Sequence, residues 1–426
     1  MKVFFYTLGC KVNHYESQEM GEELERRGFT VVTDPRDADA VVVNSCAVTA
    51  ESVRKTRQAA RRFRKLNPGA VLAVTGCATQ TEPEKLSELG VDVLLGNRTN
   101  GDLAEALQTA AEHKVVDLRP HETGEAYGGT GITRFDGHTR AFLKIQDGCD
   151  RFCSYCLIPY ARGRSRSKDP LEIDRELAAL AANGYREIVF VGIDLSDYGK
   201  GETFTLPDAL RLAEAYDGIA RVRLGSLEPH SMTDALIAEL AKLPKLCPHF
   251  HISAQSGSDR VLKAMNRHYT AAEFLRLCET LRTAFPDCAL TTDMIAGFPT
   301  ETEEDLRASA DFIRAAGFEK THVFPYSARE GTPAAKLPQL TAAEKDRRAA
   351  LLTAVAEEVR SEYLHKQIGK TVEVLFEAEP HGVSQGYTAA YTPVCVADGK
   401  SRTGSLCSVR ITGVKDDGCT GEAMPV

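Results

Sequence analysis

Strand-like apolar runs alternate with helix-like segments along most of this 426-residue chain. Within residues 1–118, strands are predicted near 2–8, 40–45, 71–75 and 92–95, and helices near 14–27, 50–66 and 100–112. Strands that alternate with helices favour a parallel sheet with helices packed on its faces. The pattern therefore predicts an α/β fold in which the first domain, 1–118, is a doubly wound parallel sheet.

Three of the predicted strands end at a cysteine. "VFFYTLGC" ends at Cys10, "VVVNSC" at Cys46 and "VLAVTGC" at Cys77. Because the carboxyl ends of parallel strands meet at one edge of a sheet, we expect the three thiols to lie together there. The pattern alone leaves open that they are three unrelated core cysteines, since free cysteine is often buried.

The alternation resumes after residues 119–139, a segment rich in glycine and polar residues that we interpret as a linker. The predicted strands are 141–146, 188–193, 221–226, 249–254, 290–298 and 321–326, with helices near 170–183, 206–216, 232–242, 271–284 and 302–316. Six units are too few for a closed eightfold barrel, so we expect a partial (β/α)6 barrel with its site at the carboxyl-end face. A long helix at 341–366 completes a central domain, 140–366.

The last segment, 367–426, changes character. Short β-type runs such as "TVEVLFE" and "SVRITGV" are separated by glycine-rich turns, which predicts a small all-β barrel. The segment has five Lys/Arg and seven Asp/Glu residues, and the whole chain has a formal net charge of −8. A nucleic-acid partner would therefore have to meet local basic patches.

The cysteine content and the hydropathy indicate the compartment. Twelve cysteines are spread over the full length, which favours thiols used as ligands or core residues in a reducing cytosol. No signal peptide is visible, and no apolar stretch approaches the length of a membrane span. We expect a soluble, cytoplasmic protein with no membrane partner.

A second group of cysteines follows the first barrel strand. "DGCDRFCSYC" places Cys149, Cys153 and Cys156 in C-x3-C-x2-C spacing on one loop. A 4Fe–4S cluster normally takes four cysteines, so three would leave one iron open to a small molecule. A zinc site would need a fourth ligand such as a histidine, but no histidine follows until His230, and His138 precedes the strand.

This spacing at this place in a partial barrel resembles the radical S-adenosylmethionine superfamily. The motifs "TLGCKVN", "NSCAVT", "TGCATQ", "HISAQSGSDRVLKAMNRHYT" and "DMIAGFPTET" further resemble the methylthiotransferase family, so the likeness covers the whole chain. The resemblance implies that Cys149, Cys153 and Cys156 hold a cluster whose open iron binds S-adenosylmethionine. It implies that Cys10, Cys46 and Cys77 hold a second 4Fe–4S cluster that carries or delivers sulfur.

Within this family, "TLGCKVN" resembles the branch that acts on N6-threonylcarbamoyladenosine in tRNA, and residues 367–426 resemble a TRAM domain. The resemblance implies methylthiolation of C2 of that base beside the anticodon, with S-adenosylmethionine as both methyl donor and radical source. The implied partners are the tRNA anticodon stem-loop, a flavodoxin- or ferredoxin-like electron donor and a sulfur source. Polar or glycine residues at strand ends are candidates for cofactor binding: Ser226, Gln255, Asp293 and Gly297.

Alternatives remain open at this stage. The same chemistry could act on isopentenyladenosine or on a ribosomal-protein aspartate, the protein could be a non-catalytic iron–sulfur RNA-binding module, or it could only methylate.

The basic helix "VRKTRQAARRFRK" (53–65) is either a solvated face or a tRNA-phosphate contact through Arg57, Arg61 and Arg64. Arg162, Arg164 and Arg166 follow the second cysteine group. An arginine there could pair with a cofactor carboxylate or an RNA phosphate, or lock the loop through barrel carboxylates.

Overall fold

The computed structural model describes residues 1–110 and 112–425. The N-terminal part is a six-stranded parallel sheet with the order β2-β1-β3-β4-β5-β6. Its strands are β1 (Lys2–Thr7), β2 (Thr30–Val32), β3 (Ala40–Ser45), β4 (Val71–Gly76), β5 (Val93–Leu95) and β6 (Val115–Asp117). Its helices are α1 (Lys11–Arg26), α2 (Ala50–Leu66), α3 (Cys77–Thr81), α4 (Pro83–Ser87) and α5 (Leu103–Thr109).

The doubly wound sheet predicted from the sequence is confirmed. Strand β3 is buried along its whole length, as expected for an apolar run at the centre of a parallel sheet. Apolar side chains pack on both faces of the sheet, around Phe63 on one face and Leu24 on the other. The sequence analysis missed β2 and β6, because three residues are too few to show a strand period.

The central part is an open barrel of six parallel strand positions. The strands of this central part are β7 (Ala141–Lys144), β8 (Gln146–Asp147), β9 (Arg166–Ser167), β10 (Glu187–Val191), β11 (Arg221–Leu224), β12 (Ser226–Leu227), β13 (His249–Ile252), β14 (Ala289–Ala296) and β15 (Lys320–Pro325). One sheet has the order β11-β10-β7, and the other continues from β12 through β13, β14 and β15. Short β8 and β9 pair with each other beside the barrel. The predicted partial barrel is confirmed, with a break at Gly225 between its two sheets.

Helices cover the outside of this barrel. They are α6 (Ile158–Arg162), α7 (Pro170–Ala182), α8 (Leu206–Leu212), α9 (Asp234–Leu240), α10 (Asp259–Ala264), α11 (Ala271–Ala284), α12 (Glu303–Ala316) and α13 (Ala342–His365). Capping boxes at Thr270 and Thr302 fix the starts of α11 and α12. In the chain that the structure describes, no helix has the length and apolar character needed to cross a membrane.

The last part is a closed five-stranded barrel with the order β16-β17-β18-β20-β19. Its strands are β16 (Thr371–Ala378), β17 (Ser384–Thr388), β18 (Pro393–Val396), β19 (Leu406–Lys415) and β20 (Gly418–Ala423). The small all-β barrel predicted for this segment is confirmed. The turn between β17 and β18 reaches the central barrel, where Arg221 donates a hydrogen bond to the carbonyl oxygen of Tyr387 across 3.0 Å.

Candidate functional site

The first triad, Cys10, Cys46 and Cys77, lies at one edge of the N-terminal sheet. The three residues directly follow β1, β3 and β4, which are neighbours in the sheet. The positive φ of 110° at Gly9 allows the chain to turn there, and a β-carbon at Gly9 would lie only 2.9 Å from Cβ of Cys46. Burial, with smaller contributions from Cys46, Glu16 and Cys10, raises the pKa of the Cys77 thiol to about 12 against the opposing charge of Arg162. The sheet topology therefore brings these thiols together.

The second triad, Cys149, Cys153 and Cys156, lies on the loop after β8. Each sulfur accepts one N–H hydrogen bond of 3.4 Å: from the backbone of Arg151 to Cys149, from Arg267 to Cys153, and from the backbone of Ile158 to Cys156. N–H donors aimed at sulfur stabilise the thiolate form, which is the form that binds metals. The donor set of this loop fits thiolate ligands.

Neither triad forms a site for a single metal ion. Over residues 1–110 and 112–425, no group of three or more His, Cys, Asp or Glu side chains is arranged to hold one ion. A 4Fe–4S cluster takes its cysteines on separate irons, so its ligands need not converge on one point. His138 lines a cavity beside Cys10. Ligation by either triad stays a prediction.

A buried ion network links the first triad to the segments that precede and follow the second triad. Arg162, fully buried, donates to Sγ of Cys77 at 3.2 Å and binds both carboxylate oxygens of Glu16 at 2.7 and 2.9 Å. It also donates to Asp147 at 3.1 Å, and Lys144 bridges Glu16 and Asp147 at 2.8 and 2.7 Å. Burial alone would raise the pKa of Glu16, but Arg162 and Lys144 outweigh it and hold that pKa below its usual value. Of the alternatives for Arg162, the structure shows a lock through carboxylates, one from the N-terminal domain (Glu16) and one from the barrel part (Asp147).

The four predicted cofactor residues lie near the carboxyl ends of the barrel strands. Gln255 has a positive φ of 66°, and its backbone pairs with β14, donating to the carbonyl oxygen of Asp293 at 2.8 Å. The carboxylate of Asp293 lies 3.3 Å from Nε2 of His251. A β-carbon at Gly297 would lie 2.8 Å from Cγ of Lys345 on α13, so packing of this helix explains the glycine. Their role in binding the cofactor stays a prediction.

The fourth, Ser226, is exposed to a cavity of about 450 Å³ that we call the central cavity. The N-terminal domain contributes Cys10, Lys11 and His14 to its lining, and the barrel contributes Val191 and Ser226. Pockets of this size bind small molecules or single nucleotide bases. Residues of the first triad and of the barrel mouth thus share one cavity.

Strands β10 and β11 of the barrel carry buried charges. Glu187 accepts from Arg221 at 2.6 Å and from Arg223 at 2.7 Å, and it lies 3.7 Å from Arg140. Burial alone would raise the pKa of Glu187, but these arginines, Arg223 foremost, lower it to about 2. The guanidinium of Arg140 lies 4.9 Å from the ring centre of Tyr391 in the β17–β18 turn. Sequence analysis missed this network, although the alternating arginines of "RVRLGS" in a buried strand were a usable signal.

The basic helix α2 divides its arginines between two roles. Arg64 binds Asp92 at 2.5 Å and the carbonyl oxygens of Ala70 and Gly90 at 3.0 Å each, so it anchors the helix to the sheet. Arg61 is exposed, and Arg57 is half-buried. Only these two of the three arginines named from the sequence remain available to an RNA phosphate.

Two family models match the chain. The radical SAM superfamily matches residues 143–313, and a family described as uncharacterized protein family UPF0004 matches residues 2–96. The radical SAM match contains the second triad, and the UPF0004 match contains the first triad.

Curated relatives match nearly the whole length. The threonylcarbamoyladenosine tRNA methylthiotransferase of Thermotoga maritima is 37% identical, over 97% of this chain and 94% of the relative. The enzyme of the same name from Bacillus subtilis is 35% identical, over 96% of this chain and 93% of the relative. The tRNA-2-methylthio-N(6)-dimethylallyladenosine synthase of Alkaliphilus oremlandii is 33% identical, over 99% and 93%.

Among solved structures, the radical S-adenosylmethionine methyltransferase TsrM of Kitasatospora setae has a TM-score of 0.57. It is 17% identical, and the match covers 78% of this chain and 75% of TsrM. At this identity the likeness concerns the fold.

Proposed function

Because this chain belongs to the radical S-adenosylmethionine tRNA methylthiotransferase family, we propose that its acceptor is N6-threonylcarbamoyladenosine beside the tRNA anticodon, methylthiolated at C2. The observation that carries this proposal is the central cavity, in which Cys10 of the first triad and Ser226 at the barrel mouth both line the wall. A base in this cavity would lie between Cys10 of the first triad and the carboxyl-end face of the barrel.

We assign one 4Fe–4S cluster to each triad and S-adenosylmethionine to the open iron of the second. When bound, the second cluster would supply the electron for reductive cleavage of S-adenosylmethionine, and the first would hold the sulfur. The chain's own contribution is positioning. Arg267 and two backbone N–H groups orient the sulfurs of the second triad, and Arg162 orients the sulfur of Cys77.

The proposed partner is the anticodon stem-loop. A base in a single-stranded loop can be unstacked at small cost, so its edge can enter a buried cavity. Arg57 and Arg61 on α2 are the proposed phosphate contacts. The proposal also includes a flavodoxin- or ferredoxin-like electron donor, a separate sulfur source and a cytoplasmic location, where thiols stay reduced.

The choice of base needs an experiment, because relatives from both tRNA branches have overlapping identities of 33–37%. Anaerobically reconstituted protein would be incubated with S-adenosylmethionine, a strong reductant and two stem-loop RNAs. One RNA carries N6-threonylcarbamoyladenosine and the other carries isopentenyladenosine. We expect mass spectrometry of the digested nucleosides to find the methylthio group on the first base; product on the second alone would refute the proposed acceptor.

A further inference from the structure

Positive charge exceeds negative charge in the group of residues beside Lys11, which lines the central cavity. The group has four cations: Lys11, its neighbours Arg140 and Arg223, and Arg221, which shares Glu187 with Arg223. The facing carboxylates are Glu187, bound to Arg221 and Arg223, and Glu377, paired with Arg140. Two positive charges are therefore left uncompensated, beside the buried side chains of Arg221 and Arg223.

The arginines of this group are already occupied by the protein. Arg223 donates to the carbonyl oxygens of Ala389 at 2.8 Å and Thr388 at 3.2 Å, in addition to Glu187. Its guanidinium lies 4.7 Å from the ring centre of Tyr391. These contacts hold the arginine side chain in place, so it contributes a fixed positive field.

Lys11 differs from these arginines. In the ranges 1–110 and 112–425 it forms no ion pair, although it is half-buried and lines the central cavity. It is the first residue of α1, whose first turn contains no acidic residue, so the unpaired N–H groups of the helix add to the positive potential. A flexible ammonium group at the wall of a cavity can bind an anion that enters.

We infer that Lys11, supported by the fixed charges of Arg140 and Arg223, binds a carboxylate on the acceptor base and so selects an anionic base. This inference rests on the proposed function. The threonylcarbamoyl substituent ends in a carboxylate, whereas the isopentenyl substituent is neutral. A charge-assisted hydrogen bond inside the cavity would therefore favour the first base.

The test compares binding of two RNAs rather than turnover. Stem-loops that differ only in threonylcarbamoyl or isopentenyl at the target base are titrated with reconstituted full-length protein, and Kd is measured by fluorescence anisotropy. The variants are Lys11→Gln, Lys11→Arg and the control Lys366→Gln, an exposed lysine after α13. Iron content is determined for each.

We expect the parent protein to prefer the carboxylate-bearing RNA and Lys11→Gln to reduce that preference about tenfold or more. Affinity for the neutral RNA should not change. Lys11→Arg should keep most of the preference because it keeps the charge, and Lys366→Gln should keep all of it. If Lys11→Arg keeps the preference and Lys11→Gln loses it, the loss is due to the missing charge and not to a disturbed local structure.

Three outcomes would overturn the inference. An unchanged preference in Lys11→Gln would show that Lys11 does not contact the carboxylate. Equal weakening of both RNAs would assign Lys11 to an RNA phosphate or to the first cluster. If the parent protein methylthiolates only the isopentenyl RNA, the proposed function fails as well; if it methylthiolates the threonylcarbamoyl RNA while Lys11→Gln keeps the preference, the inference alone fails.

Discussion

Arg162 Nε donates a hydrogen bond to Cys77 Sγ across 3.2 Å, although the two residues are 85 positions apart in the sequence. The arginine belongs to α6, which follows the second triad, and the cysteine belongs to the first triad. The bond therefore links the first triad to the helix that follows the second triad in the sequence.

We predict that Arg162→Met destabilises the protein by about 3–5 kcal/mol, because Glu16 and Asp147 would keep only Lys144 and the more distant Arg166 as counter-charges. Urea unfolding of the metal-free protein measures the change. The control is Arg164→Met, since the side chain of Arg164 is 55% exposed and its ion pair with Asp150 should contribute little. Equal losses in the two variants would contradict a special role for the buried network.

A matched pair of glycines tests the loop before the second triad. Gly148 and Gly137 have nearly the same φ, 72° and 73°, but a β-carbon at Gly148 would lie 1.9 Å from the carbonyl oxygen of Arg164. At Gly137 no atom lies within 4 Å. We expect Gly137→Ala to lower the free energy of unfolding by about 1 kcal/mol and to keep the full iron content, whereas Gly148→Ala should lose the second cluster. Iron analysis after reconstitution decides, and a full iron load in Gly148→Ala would contradict the prediction.

Alanine substitution of each triad should separate the two clusters. Reconstituted protein should hold close to eight irons, and replacing Cys149, Cys153 and Cys156 should leave about half of them. The control is Cys278→Ala, which replaces a buried cysteine on α11 and should keep the full iron content. A full load without the second triad would refute the two-site assignment.

Substitution of the first triad, Cys10, Cys46 and Cys77, should have a different effect on chemistry. We expect S-adenosylmethionine cleavage to continue, because its cluster has other ligands, while methylthio product disappears. Deoxyadenosine and modified nucleosides can be measured in one reaction. Continued methylthiolation by this variant would show that the triad has been misassigned.

Reversal of charge on α2 tests the RNA surface. Arg57→Glu with Arg61→Glu should weaken tRNA binding and reduce the slope of log K against log salt by about two, because each arginine would no longer neutralise a phosphate. Arg307→Glu, on the outer helix α12, is the control. Cleavage of S-adenosylmethionine without RNA should not change. An unchanged affinity and slope would show that α2 is only a solvated face.

The sequence was sufficient for features that depend on neighbours along the chain. Each cysteine of the first triad follows a strand whose apolar run is visible, and the parallel connections then place Cys10, Cys46 and Cys77 at one edge. The spacing of the second triad is likewise local. Short elements escaped, as β2 and β6 show.

The interior of the barrel could not be predicted in the same way. Lys11, Arg140 and Tyr391 meet only because an N-terminal helix, a barrel strand and a turn of the last barrel converge. No repeating pattern of apolar residues in the sequence predicts contacts between such distant segments. Arg64 is a related case, because its helical position predicted an exposed face, while the packing of α2 on the sheet placed it beside Asp92.

The contact between the β17–β18 turn and the central barrel has a consequence for biosynthesis. The carbonyl oxygens that receive Arg221 and Arg223 belong to Tyr387, Thr388 and Ala389, which are synthesised after every strand of the central barrel. Domains generally fold in the order in which they are translated, but this barrel cannot complete the hydrogen bonds of its buried arginines until β17 and the turn after it have been made. A chain truncated before β17 would therefore leave Arg221 and Arg223 to share Glu187 and would fold with an incomplete interior.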